Sequence, residues 1–376
     1  MTFEMEGEKL MANAVYIHIP FCQHICNYCD FCKVFYQAEF ADLYLEQLQQ
    51  EILTTYQNEE ISTIYIGGGT PSCLSLPQLK RLFSILSIFK LSNDAEICME
   101  ANFDSLDEEK IKYLSKKIHR ISLGVETVCP RLQSIIGRKQ DPKDITHTIG
   151  LLKEYGLNNI NVDLIYGLPT QTISDLVIDL DFILSLDVCH ISLYSLILEE
   201  HTKLYLEKTK PISEELDLEM YQLIEKTLTA HGFIHYEISN YAKPSFASKH
   251  NLIYWKNQHY YGFGVGAASY LGNKRMTNSR SFTAYLDGKM TKEIESLTKE
   301  DELEYEIMLA FRLQEGLDKK AFEKCFSHPL SFYYAYEPLV KQQILQEDAT
   351  FLRVHPSYWY VLNEVIVAFL KLQTNV

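Results

Sequence analysis

Six short apolar, β-branched stretches, at 14–19, 63–66, 96–100, 120–125, 159–165 and 190–196, alternate with helically spaced segments at 36–56, 76–89, 107–117, 144–155 and 174–186. No other feature constrains the fold as much. Repeated strand-helix-strand units need parallel strands joined by right-handed crossovers, which leaves an open doubly wound sheet or a full or partial barrel. Asp107, followed by Glu108 and Glu109, supplies a cap and an acidic first turn for one of the helices. The placement of chemistry-bearing residues favours a barrel. Cys22, Gly67 to Gly69, Glu100, Glu126 and Asp163 all stand at or just after the C-terminal end of an expected strand, where barrel proteins build their sites. A further helix is expected at 220–231, before an aromatic-rich block at 236–270 that contains Tyr261-Gly262-Phe263-Gly264-Val265-Gly266. From about Thr291 the chain turns charged and reads as helical over 292–313. The expected division is a barrel over 1–240, a connecting segment over 241–290 and a smaller C-terminal domain over 291–376.

Composition narrows the functional classes. Of the 376 residues, 47% are hydrophobic and 23% charged, the balance of a folded globular chain. Lys and Arg total 35 against 50 Asp and Glu, a net charge of -15, which opposes a phosphate-neutralising surface and argues against nucleic acid as the main partner. No run approaches the ~20 apolar residues that a spanning helix needs. The first ten residues carry Glu4, Glu6 and Glu8 and lack the basic-then-apolar order of a secretory signal. The expectation is a cytoplasmic protein, with a peripheral membrane contact left open.

Nine cysteines are an odd number, and Cys22, Cys26, Cys29 and Cys32 fall within eleven residues, too crowded for a disulfide framework. Soft ligands at this spacing suit an iron-sulfur cluster or zinc. A [4Fe-4S] cube held by Cys22, Cys26 and Cys29 would leave one iron open, whereas Cys32 could close a zinc site. No second ligand pair follows at zinc-finger or zinc-ribbon separation. Gly67-Gly68-Gly69-Thr70-Pro71, after a strand, is either a tight turn or a place where backbone approaches a ligand closely.

Taken together, Cys22-x3-Cys26-x-Tyr28-Cys29 resembles the cluster motif of the radical S-adenosylmethionine (SAM) superfamily, and Gly68-Gly69-Thr70-Pro71 resembles the motif there that binds the SAM amino group. The resemblance implies a [4Fe-4S] cluster whose open iron chelates SAM and cleaves it reductively. It also implies a partial parallel (β/α)6 barrel with a smaller helical, winged-helix-like C-terminal domain. The wider resemblance is to the oxygen-independent coproporphyrinogen III oxidases and their HemW-type relatives. It is carried by Tyr16-Ile17-His18-Ile19-Pro20-Phe21-Cys22, by Asn161-Val162-Asp163-Leu164-Ile165-Tyr166-Gly167-Leu168-Pro169, and by Tyr236-Glu237-Ile238-Ser239-Asn240-Tyr241-Ala242. In the C-terminal part it is carried by Glu304-Tyr305-Glu306-Ile307-Met308-Leu309 and Arg312-Leu313-Gln314-Glu315-Gly316-Leu317, while the usual turn before the last helix is degraded to Val354-His355-Pro356-Ser357.

Carried over by position, Tyr16, Gly67, Gly68, Gly69, Thr70, Glu100, Glu126, Arg138 and Asp163 form the SAM site, with Arg138 suited to the methionine carboxylate and Glu100 or Asp163 to ribose hydroxyls. Within the family, the oxidases place a cysteine where this chain has Phe31, and they carry a longer N-terminal extension. The HemW branch carries an HNxxYW motif tied to haem, matched here by His250-Asn251-Leu252-Ile253-Tyr254-Trp255. That resemblance implies haem as a cofactor, with His250 as axial ligand and Tyr254 and Trp255 against the porphyrin. Without that resemblance, a histidine followed by aromatics is more often a hydrogen-bonded packing element than a ligand.

The expectation is therefore a haem chaperone that binds a cluster, SAM and haem and serves a haem-requiring acceptor protein. An electron donor such as ferredoxin or flavodoxin would supply it, and a homodimer stays open. The alternative is an oxidase that decarboxylates coproporphyrinogen III. Glu126 for the family's Gln, Gln140 and Ala268 for two histidines, and Phe103 for a proline mark a divergent member, and Cys32 reads as an accidental thiol.

Overall fold

The computed structural model describes residues 12–289 and 292–374, so the N-terminal residues read above for a signal and the expected domain boundary at 290–291 lie outside the described residues. The chain forms two compact units. The first comprises Met1–Gly124, Gln140–Ile160 and Gln258–Leu297, and the second comprises Val125–Lys139, Asn161–Asn257 and Thr298–Val376.

The first unit is built on parallel strands β1 (Ala14–Ile19), β2 (Glu60–Gly68), β3 (Lys90–Ala101) and β4 (Arg120–Glu126), the last two residues of β4 being counted with the second unit. β1 and β2 run in register from Ala14 opposite Thr63 to Ile19 opposite Gly68. β2 pairs with β3, and β3 with β4, also in parallel. Every residue of β4 and all but one of β1 are buried, the near-continuous apolar pattern of strands covered on both faces. The helix Ala38–Thr55 turns Ala41, Tyr44, Leu45, Leu48 and Ile52 inward at helical spacing. Asp107 caps the helix Glu108–Leu114, accepting a 2.8 Å bond from the Lys110 amide. On its other edge β1 pairs in parallel with Tyr260–Phe263, and the sheet continues antiparallel through Ala268–Leu271, Lys274–Asn278 and Lys292–Ser296.

That last strand corrects the expectation of helix across 292–313. Lys292–Ser296 is a sheet edge in which Lys and Glu surround Ile294 and most residues are exposed, the charged composition that blunts an open edge. Helix begins only at Lys299, behind a capping box of Thr298 and Asp301.

The second unit contains the parallel pair β5 (Ile160–Tyr166) and β6 (His190–Ser195), in register from Asn161 opposite His190 to Tyr166 opposite Ser195. β6 continues antiparallel into Asn240–Ala242 and then Ile234–Glu237. The helix expected at 220–231 starts earlier, at Glu214, because Ser213 caps it. The C-terminal segment folds the helices Lys299–Ala310 and Leu362–Leu370 around a three-stranded antiparallel sheet of Leu317–Asp318, Phe351–Val354 and Leu345–Glu347. Phe311, Phe322, Tyr334 and Phe369 form its core, Phe311 meeting Phe369 edge-on at 5.0 Å. The fold is thus α/β, with parallel strands and a smaller C-terminal domain.

Backbone bonds tie that segment to the 234–242 hairpin: the Ile238 amide donates to the Arg312 carbonyl and the Gln314 amide to the Tyr236 carbonyl, both at 3.0 Å. At the same junction His235 stacks on Tyr241 at 4.1 Å and meets Trp359 edge-on at 4.5 Å. Burial lowers the His235 pKa to about 4, so the ring packs neutral. The unfolded chain binds a proton there below about pH 6.5, so this contribution is complete above that pH and is lost as pH falls toward 4. Denaturant unfolding at a series of pH values is expected to show this decline, and His235→Gln to flatten it by up to ~3 kcal/mol. An unchanged slope in the variant would show that His235 does not contribute to it.

Candidate functional site

In the first unit, chemistry begins where β1 ends. Phe21 and Cys22 pair in parallel with Val34 and Phe35, so the segment between them is closed at its base and carries Cys22, Cys26 and Cys29 together. Inside the loop the Cys29 amide donates to the Cys26 carbonyl at 3.4 Å, and Lys33 Nζ donates to the Cys29 and Phe31 carbonyls at 2.5 and 3.2 Å. His18 holds its far end, donating through Nε2 to the Cys32 carbonyl at 2.7 Å while Nδ1 accepts from the Tyr16 hydroxyl at 3.1 Å. Burial lowers the His18 pKa to about 4, consistent with that neutral arrangement.

The glycine triplet abuts this loop, and each glycine is required for a different reason. A Cβ on Gly69 would lie 2.7 Å from the Pro20 and Phe21 backbone, one on Gly67 would lie 2.8 Å from the Glu100 carboxylate, and Gly68, at φ 111°, faces the His18 ring. The Gly69 and Thr70 amides donate to the Ile19 and Phe21 carbonyls at 2.9 and 2.7 Å. Glu100 accepts from the Gly68 amide at 3.0 Å and the Tyr65 hydroxyl at 2.8 Å. Thr70 Oγ1 points a hydrogen bond at Cys22 Sγ, 3.6 Å away. Burial pushes the Cys22 thiol up to about 11, the Thr70 bond opposes it, and Cys29 and Cys26 push it further up.

A bound metal reverses that balance by stabilising thiolate. Three thiols on one closed loop, a hydroxyl donor to one of them and a side-chain-free glycine wall fit an iron-sulfur cluster. Among the described residues, no three Cys, His, Asp or Glu side chains gather to hold a single metal ion. A cube takes each thiolate on a different iron, so its ligands stand apart. Cys32 is half-buried, with Sγ 3.4 Å from the Arg280 carbonyl.

In the second unit, Glu126 ends β4 at φ 63°, a left-handed conformation uncommon for a residue with a side chain. Its carboxylate accepts from Arg138 Nη2 at 2.8 Å, and both side chains are buried. Arg138 follows Gly137, which closes the helix Pro130–Ile136 in the left-handed conformation.

Asp163, half-buried on β5, heads a directed chain of bonds. Asn161 Nδ2 donates to it at 2.7 Å, and His190 Nδ1 donates to Asn161 Oδ1 at 2.6 Å. His190 Nε2 accepts from the Tyr236 hydroxyl at 2.9 Å, which itself accepts from the Ser248 amide at 3.2 Å. Ser248 caps the helix Lys249–Trp255, which carries His250, Asn251, Tyr254 and Trp255. His250 is 1% exposed, its Nε2 is bonded to the Tyr254 hydroxyl at 2.8 Å, and burial lowers its pKa to about 3. Arg312 lies over the Trp255 ring at 5.9 Å, and Asn257 donates to Glu306 at 3.0 Å, so the motif helix is packed against the C-terminal segment.

The candidate residues are therefore gathered in two groups: Tyr16, the cysteines, the glycines, Thr70 and Glu100 in the first unit, and Glu126, Arg138, Asp163 and the His250 helix in the second. Sequence reasoning missed His18, Asn161, His190 and Glu51. Glu51 is fully buried and accepts from the Gly264 amide at 2.8 Å, Asn278 at 2.8 Å and the Tyr285 hydroxyl at 2.9 Å. The signal was available, since Glu51 falls on the same helical stripe as Ala41, Tyr44 and Leu48.

Known proteins resemble this chain over nearly its whole length. Residues 16–183 match the radical SAM superfamily, and residues 297–360 match the HemN C-terminal domain. A protein of Bacillus subtilis named heme chaperone HemW is 38% identical, over 95% of this chain and 99% of its own length. Proteins of the same name from Lactococcus lactis and Escherichia coli are 38% and 30% identical, over 95% and 96% of this chain and 97% and 99% of their own lengths. Among solved structures, the E. coli coproporphyrinogen III oxidase HemN, a radical SAM enzyme, matches with a TM-score of 0.83 at 23% identity, over 95% of this chain and 89% of that one. That likeness shows the fold. No helix among the described residues is long and apolar enough to cross a membrane.

The loop geometry separates the cysteines. After anaerobic reconstitution, Cys26→Ala is expected to lose the iron and acid-labile sulfide of the natural chain, and Cys32→Ala to retain them. Equal loss in Cys32→Ala would make Cys32 a ligand. Gly69→Ala is expected to lose iron as well, since the added methyl collides with the backbone that starts the loop.

Proposed function

Because this chain belongs to the HemW family of the radical SAM superfamily, we propose that it is a haem chaperone, binding a [4Fe-4S] cluster, SAM and haem and passing haem to a haem-requiring acceptor. The observation that carries the reading is 38% identity to heme chaperone HemW across nearly the whole of both chains, joined to a complete HNxxYW motif on one helix. Cys22, Cys26 and Cys29 would hold the cluster. Tyr16, Gly67, Gly68, Gly69, Thr70, Glu100, Glu126, Arg138 and Asp163 would line the SAM site, in which Arg138 suits the methionine carboxylate and Glu100 or Asp163 suits ribose hydroxyls. When bound, the cluster and SAM supply one-electron chemistry. The chain's own part is to anchor the cysteine loop through His18 and Lys33, to keep side chains off the glycine wall, and to hold Arg138 through Glu126.

His250 is the proposed haem ligand, and its surroundings make uptake a conformational step. The ring is enclosed, and Nε2 already bonds Tyr254. Iron can reach that nitrogen only after the bond breaks and the helix Lys249–Trp255 shifts from its packing. The imidazole stays neutral at physiological pH, as a metal ligand must. The assignment of 291–376 as a separate domain and of ferredoxin or flavodoxin as electron donor belongs to the same proposal.

Anaerobic haemin titration of the cluster-reconstituted chain tests the reading. Saturable, stoichiometric binding is expected, weakened in His250→Ala with iron-sulfur content intact. Tyr254→Phe should bind haem faster, since it releases Nε2. Absence of saturable binding in the natural chain would overturn the proposal, and conversion of coproporphyrinogen III to protoporphyrinogen IX would replace it with the oxidase reading.

A further inference from the structure

We propose that Glu126 competes with SAM for Arg138 and so sets how tightly this chain holds SAM. The inference rests on the reading above in which Arg138 takes the SAM carboxylate. Glu126 and Arg138 form an ion pair at 2.8 Å, with side chains 8% and 11% exposed. A pair so enclosed is weakly screened.

The local backbone is anchored from both sides to present that pair. Asp179, itself 1% exposed, accepts from the Thr127 hydroxyl at 2.9 Å and from the Val128 amide at 2.7 Å, immediately after Glu126. Gln133 donates to the Thr127 carbonyl at 3.0 Å, and its own carbonyl accepts from the Arg138 amide at 2.8 Å. These bonds over-determine a segment in which Glu126 sits at φ 63°, and such held strain is typical of functional positions.

A second carboxylate arriving at the guanidinium meets an existing negative charge in a poorly solvated place. It must displace Glu126 or share the cation with it at the cost of like-charge repulsion. The amide of a glutamine at position 126 would still accept a hydrogen bond from Arg138 but would carry no charge. SAM would then neutralise Arg138 instead of competing for it. Glu126 is accordingly a positioning and affinity-setting residue, acting on SAM through Arg138.

The test compares the natural chain with Glu126→Gln, Arg138→Gln and the double variant, each cluster-reconstituted, by anaerobic equilibrium dialysis with labelled SAM. Glu126→Gln is expected to bind SAM roughly tenfold more tightly, and the gain should vanish in the Arg138→Gln background. A second readout needs no turnover. The SAM-free melting midpoint should fall in Glu126→Gln, which removes the carboxylate from a buried ion pair, while added SAM should raise the midpoint more than in the natural chain. Unchanged or weaker SAM binding in Glu126→Gln overturns the proposal and leaves the SAM reading intact. SAM binding that is undiminished in Arg138→Gln, or absent from the natural chain, overturns the reading and the proposal with it. Should Glu126→Gln fail to fold, Glu126→Gly removes the same charge with a residue suited to this backbone, and the same comparison decides.

Discussion

The closure of the cysteine loop against the end of β1 is the constraint on which the first unit depends. Phe21 and Cys22 pair with Val34 and Phe35, and a Cβ at Gly69 would lie 2.7 Å from the Pro20 and Phe21 backbone that begins this pairing, so a residue without a side chain suits that position. Parallel pairing of β1 with β2 brings the glycines to this position, because Ile19 stands opposite Gly68. The cluster loop and the glycine wall are thus two sides of one packing solution. Neither could be moved by a residue along its strand without inverting which side chains face the core.

Around that solution lies a layer of buried polar groups. The Tyr44 hydroxyl donates to the His18 carbonyl at 2.7 Å and accepts from the Val265 amide at 3.1 Å, while Glu51 satisfies Gly264, Asn278 and Tyr285. Such groups are costly to bury unless partnered, and here they fix the 261–266 segment against β1. The second unit repeats the device. The chain of bonds from Asp163 through Asn161, His190 and Tyr236 to Ser248 begins on a strand that carries a proposed SAM contact and ends on the cap of the proposed haem helix.

Much of the fold was legible because buried parallel strands are continuous apolar runs, and β1 and β4 are of that kind. Extents were less legible. β3 begins at Lys90, through Ser92, Asn93 and Asp94, because pairing of Lys90 and Leu91 with Glu60 and Ile61 extends it where composition does not. Lys292–Ser296 read as helix for the same reason: its charges suit either state, and only the neighbouring strand Lys274–Asn278 decides. At the site, the cysteines and glycines were visible as motifs. The contact of Tyr254 with His250 was implicit in their i, i+4 spacing, but the depth of burial depends on distant packing by the segment that follows Thr298.

The proposed chemistry depends on whether the loop carrying Cys22, Cys26 and Cys29 holds a cube with one iron open to SAM. Electron paramagnetic resonance of the dithionite-reduced, reconstituted chain, recorded with and without SAM, addresses this directly. The expected result is a [4Fe-4S] signal that changes shape when SAM is added. A cluster signal indifferent to SAM, or a chain that takes up no iron, would contradict it.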